Sequence, residues 1–249
     1  MLRIRNFNAR YYLQRGAVDE WQTQRRLDRI VTDRLPQAMG DYWNHISTNS
    51  GAVYRIRNLH ISLWLDDLDH PDGMIASVWA RLLAKAIVDT LQNGTPANVV
   101  RYDDYAHFLA AFLADLLVGQ AWRRWMYEEF RPLEDVPVGR AAALLLSPHP
   151  ELLVPVAQRL QIQQNWEALV LRMEAADISL IWDRGFGFTN LPMVVPLDTL
   201  DGLPPHIPLE RGGETAFMRN RLRLFVALHT RRQPQSLTAA AALSHHAAL

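Results

Sequence analysis

The 249-residue chain contains no cysteine. That absence alone excludes disulfides, thiolate metal sites and cysteine nucleophiles. Lysine is nearly missing as well: Lys85 is the only one among 26 basic residues, the rest being arginine. Neither sign of charge is in excess, because 26 carboxylates balance those bases, so no global field draws the chain to nucleic acid or to an anionic membrane. Long apolar runs are also absent. Charge or glycine interrupts each stretch before the roughly 18 residues a membrane span requires. Met1-Leu2-Arg3-Ile4-Arg5 alternates and no apolar segment follows, so no signal peptide is expected. What is present is 49% hydrophobic and 21% charged, a globular balance that excludes wholesale disorder and repetitive fibres. A soluble, cytoplasmic protein is the expectation.

Patterning along the chain predicts an α+β, predominantly α-helical fold. Ile4, Phe7, Tyr11 and Tyr12 favour a first strand over 2–13. Leu27, Ile30, Val31, Leu35, Ala38, Met39 and Ile46 recur at helical intervals, predicting an amphipathic helix over 18–46 that Pro36 kinks or restarts. Residues 53–65 alternate, with a change of phase that predicts a bulge near Asn58. A second helix carries Ile75, Val78, Trp79, Leu82, Leu83 and Ile87, and Asn93-Gly94-Thr95-Pro96 ends it. A helical crossover between the two strands favours parallel pairing.

Further on, Asp103 and Asp104 open a helix stopped by Gly119, and the helical pattern continues from Ala121 to Phe130. Short helices follow over 151–160 and 163–176, then a short strand over 178–182. Five prolines and five glycines within 183–213 mark a long loop, and 216–229 is a last helix. The expected organisation is a strand–helix–strand–helix unit (1–92), a helical region (93–182), a Pro/Gly-rich loop (183–213) and a C-terminal helix with a frayed tail (214–249).

Few residues carry a chemical signature. The densest acidic cluster, Asp66-Asp67-Leu68-Asp69-His70-Pro71-Asp72-Gly73, superficially resembles a cation loop, but its spacing is wrong and no glutamate closes it. A turn in which Asp72 caps the following helix is the favoured reading. None of the nine histidines forms a metal-binding helical pair, and no nucleophile elbow is present. His60 and His107 lie on predicted elements without sequence-adjacent partners, His149 sits in a proline-bracketed turn, and His245 and His246 fall in the tail. Gly185-Phe186-Gly187-Phe188 lacks the third glycine of a dinucleotide loop. A metal-dependent hydrolase using the Asp66–Asp72 cluster with His60 or His70 is therefore an alternative, not the leading expectation.

Trp122-Arg123-Arg124-Trp125-Met126-Tyr127 interleaves aromatic and basic side chains, a pattern suited to single strands of nucleic acid or to a protein partner. On an α-helix the tryptophans would share one buried face and the arginines would be solvated. Basic charge concentrates in 1–34, with eight arginines against four carboxylates, and in 211–232, with six against Glu214. Such patches could meet an acidic protein or a phosphate surface; solvated faces whose arginines pair with the acidic middle of the chain are favoured, and nucleic-acid binding stays a further alternative.

Two stretches carry a likeness. Leu27-Asp28-Arg29-Ile30, Leu35-Pro36-Gln37-Ala38 and Tyr54-Arg55-Ile56-Arg57-Asn58-Leu59-His60-Ile61-Ser62-Leu63, followed by the helical run from Tyr105 to Phe130, resemble the N-terminal region of contractile injection system tape-measure proteins. The likeness spans about half the chain. It implies a non-enzymatic structural or assembly protein of a phage-tail-like particle, with no catalytic residue, metal or cofactor. It also implies tube, sheath or baseplate subunits as partners, and a homo-oligomer is a further option. The chain departs from the family in having no sustained heptads, so a short paralogue, a fragment or an accessory subunit fits best. Arg55, Arg57, Trp122, Arg123, Arg124 and Trp125 are the candidate contact residues.

Overall fold

The computed structural model describes residues 19–46, 51–59, 70–185, 207–208 and 210–232. The predicted strand over 2–13, the 60–65 part of the alternating strand, Asp66 to Asp69, His60, Gly187, Phe188, His245 and His246 lie outside them, as does most of the 183–213 loop. The fold is predominantly helical α+β. It divides into two compact units, Met1–Arg101 and Tyr102–Leu249.

In the first unit, helix α1 (Glu20–Arg29) begins at Asp19, whose carboxylate accepts the N–H groups of Trp21 and Gln22. It runs through a π turn (Ile30–Arg34) into α2 (Leu35–Ile46). Pro36 has no N–H to give the carbonyl four residues back, and the helix meets that point with one wider turn, Leu35 N–H bonding to the Ile30 carbonyl. The turn changes the register of burial. Leu27, Ile30, Leu35 and Met39 face inward while Val31 is only partly covered, a five-residue step that an α-helix cannot put on one face.

Against this stripe packs α3 (Asp72–Asn93), through Ile75, Ala76, Trp79, Ala80, Leu83 and Ile87. Asp72 does not cap it, contrary to the expected role. Pro71 holds the cap position without a side-chain bond, and the Asp72 carboxylate takes Arg26 Nε at 2.7 Å instead, tying α1 to the start of α3.

Strands β1 (Val53–Ile56) and β2 (Val99–Tyr102) form a two-stranded antiparallel sheet. The partner of β1 is thus a strand in what was expected to be a helical region, while the parallel pairing expected between the strands over 2–13 and 53–65 involves residues outside the described ones. At the end of the ladder Arg57 N–H donates to Asn98 O at 2.8 Å. The Asn98 side chain then acts as a further strand residue, accepting Asn58 N–H at 2.9 Å and donating to Asn58 O at 3.0 Å. This amide pairing stands where a bulge was expected.

The second unit is a helical assembly of α4 (Tyr105–Leu117), α5 (Val138–Leu146), α6 (Leu153–Ile162), α7 (Trp166–Leu171), α8 (Ala175–Gly185) and α9 (Glu214–Arg232). Packing of α4 on α6, α5 on α8, and α9 on both α6 and α8 encloses a core that includes Phe108, Phe112, Leu146, Leu160, Ile178 and Val226. Asp104 opens α4 by accepting His107 N–H at 2.7 Å. Gly119 closes it with φ +71°, a left-handed position that costs a residue without Cβ little.

Residues 178–182, expected as a strand, are helical within α8. Asp177, at the third helical position, reaches back to accept Glu174 N–H at 3.1 Å. That bond is half of a capping box and sets a helix start just ahead of the apolar run.

Candidate contact surface

Arg55 and Arg57 belong to the first unit. Arg55 lies on β1 and is partly buried; Arg57 follows the strand and is exposed. The other four candidates lie in the second unit: Trp122, Arg123 and Trp125 on two 3-10 segments, Ala121–Arg123 and Trp125–Leu133, and Arg124 at their junction, the whole crossing α4 in place of the expected α-helix. An extended Arg124 (ψ 120°) separates the two segments, so Trp122 and Trp125 do not stack along one helical face. Both indoles are partly covered rather than buried, and Arg123 is solvated. The Trp122 ring meets Phe112 edge-on at 5.5 Å.

Arg124 is not simply solvated. Its Nε lies 2.9 Å from Asp115 Oδ2. The same oxygen accepts the Tyr127 hydroxyl at 2.9 Å. One carboxylate on α4 therefore holds two points of the crossing segment. Burial, then neighbouring Tyr102, then Asp115 push the Tyr127 phenol well above its usual range, so it stays a donor. Ala121, Tyr127 and Phe130 are buried beneath. The Tyr127 and Phe130 rings meet those of Phe108 and Phe112 at 4.3–5.8 Å between centroids.

Residue patterns had not singled out Asp115 or Tyr102, and Tyr127 stood only as the end of the aromatic–basic run. One signal was present: Asp115 is the only formally charged residue in Tyr105–Leu117 and sits in its last turn. There the helix dipole disfavours a carboxylate, so a nearby cation is called for.

Of the enzymatic alternative's residues only His70, Pro71 and Asp72 are described, and the other described histidines singled out in the sequence are His107 and His149. His70 offers its backbone carbonyl to Arg26 Nη2, and Asp72 pairs with the same side chain. His107 Nδ1 lies 3.3 Å from both the Asp103 N–H and an Asp103 carboxylate oxygen. His149 Nδ1 is 3.4 Å from Glu151. Among the described residues no group of three or more His, Asp or Glu is placed to hold a metal ion.

Two arginines of the basic stretch at 211–232, expected on a solvated face, are instead largely covered and paired with carboxylates. Arg223, with a side chain 2% exposed, bonds Glu167 at 2.9 Å and Glu210 at 2.8 Å. Arg219 pairs with Glu210 at 3.2 Å and donates to the carbonyls of Met173 and Leu171. No helix among the described residues is long and apolar enough to cross a membrane. No protein-family model, curated protein or solved structure matches the chain.

Proposed function

We propose that the chain is a non-enzymatic assembly protein of the cytoplasm that works through protein–protein contacts, in a contractile, phage-tail-like particle. The observation that carries this reading is the turn at Trp122–Trp125. It combines two partly exposed indoles with two exposed guanidinium groups, and Asp115 and Phe112 fix it from below. Tryptophan and arginine dominate the energetics of protein interfaces, and a turn already held in place loses little entropy when it docks. The resemblance of 27–63 and 105–130 to tape-measure proteins names the kind of assembly, with tube, sheath or baseplate subunits as partners. The longest described continuous helix, α1 through the π turn to α2 (20–46), spans about 40 Å. An accessory or capping subunit suits that length better than a ruler.

The test is co-purification with tube, sheath and baseplate proteins, comparing the wild type with a Trp122→Ala/Arg123→Ala variant. Capture of at least one subunit, weakened about tenfold or more in the variant, is expected from interface hot spots of this type. Recovery of the wild type free of all three subunits overturns the proposal.

A further inference from the structure

The segment crossing α4 has a construction that sets it apart from the helices around it. Its backbone bonds close within three residues: Arg123 N–H to Gln120 O, Arg124 N–H to Ala121 O, Tyr127 N–H to Arg124 O and Glu134 N–H to Arg131 O. Bonds of this kind have poorer geometry than α-helical ones, and 3-10 runs longer than three or four residues are uncommon. Within Trp125–Leu133 the helix is broken at Tyr127 (φ −99°, ψ 15°), so the segment is a succession of short turns rather than one continuous helix. Short turns of this geometry leave more of the anchoring to side chains than an α-helix does.

Those side chains converge on two places. Trp122, Tyr127 and Phe130 meet the rings of Phe108 and Phe112. Arg124 and Tyr127 meet the single oxygen Oδ2 of Asp115. Phe108, Phe112 and Asp115 lie one turn apart on α4, so these contacts form and break together. A segment with weak internal bonds and shared anchors on one neighbour has the character of a cooperative opening unit.

We infer that residues 121–133 form a strap that opens from α4 as one unit below the threshold of global unfolding, with Asp115 as its latch. Opening uncovers Phe108 and Phe112, both 0% exposed when the strap is closed. This inference does not depend on the assembly role proposed above.

Native-state hydrogen exchange on the whole chain at increasing, sub-denaturing urea tests it. Strap amides at Arg123, Arg124 and Tyr127 are expected to share one opening free energy and one urea dependence, both smaller than those of α9 amides at Leu222 and Val226. Asp115→Ala should speed exchange of the strap amides about tenfold, since it removes the carboxylate that Arg124 and the Tyr127 hydroxyl share. Val226→Ala removes a contact present in both the closed and the open strap. It should speed exchange in α9 while leaving the strap amides unchanged. Tyr127→Phe keeps the ring and removes only the hydroxyl; it should speed the strap several-fold and decides the matter if Asp115→Ala does not fold. Strap amides that follow α9 in urea dependence and respond equally to Val226→Ala overturn the inference, as does a strap insensitive to both latch variants.

Discussion

At the scale of single residues, Gly139 shows how little room the second unit leaves. A Cβ built there would collide with the Arg172 carbonyl and the Met173 Cα where α5 passes the end of α7. Gly139→Ala is expected to destabilise by about 1–3 kcal/mol or more, the range for overpacking, measured by urea denaturation. A shift under 0.5 kcal/mol, roughly the noise of surface changes, would mean that α5 yields freely. The Glu210 carboxylate gives a second residue-scale expectation. Arg223 first, then Arg219, hold its pKa below the ordinary 4.5. A folded-state pKa below the unfolded one adds stability above the unfolded value, and that stability disappears as pH falls through the folded value. The difference in melting temperature between wild type and Glu210→Gln should therefore be full at pH 7 and shrink below about pH 4.5. A difference that stays constant down to pH 3 would show that the arginines do not stabilise the charged form.

Helix ends decide much at the scale of elements. Asp19 and Asp104 are both N-caps, and replacing such a cap by alanine costs about 1 kcal/mol. Asp104 also pairs with Arg159, whose side chain is only 16% exposed, whereas the Asp19 cap is exposed. Asp104→Ala is expected to cost more than Asp19→Ala in paired denaturation curves; equal costs would show that the Arg159 contact contributes nothing. Elements with conventional periodicity and punctuation were legible in the sequence. α3 ends at Asn93 before the Gly94-Thr95-Pro96 stop, and α4 starts behind Asp104 and ends before Gly119. Others were not. Ile178 to Trp182 is a short apolar run that fits strand and helix equally, and the deciding bond from Asp177 back to Glu174 is a matter of geometry. β2 has only four residues, too few to show alternation. The Trp122–Trp125 turn was visible as composition. Its anchor, Asp115, was not, because a contact across a turn leaves no period to read.

At the scale of the whole molecule, each unit has a core of its own, which core substitutions can probe separately. Ile30→Ala in the first unit and Leu113→Ala in the second each remove a fully buried side chain. Each is expected to cost about 2–5 kcal/mol, read from amide protection in α3 and α4 respectively. A loss below 1 kcal/mol at either site would mean that the surrounding helices collapse into the gap. The balanced charge of the chain also has a structural counterpart at this scale. Arg26, Arg124, Arg159, Arg219 and Arg223 each pair with a carboxylate contributed by another part of the sequence. Planar guanidinium forks suit such multi-point ties better than a lysine ammonium does. Finally, the π turn at Ile30–Arg34 gives the first unit some slack in chain length. A π turn holds one residue more than the helix around it needs. Excising one residue from 31–34 together with Pro36→Ala would bring Ile30 and Leu35 to a four-residue separation and produce a straight rod showing the same inner face. Loss of a codon, which would rotate half of a regular helix by about 100°, would here, with the proline also replaced, leave the inner face where it was.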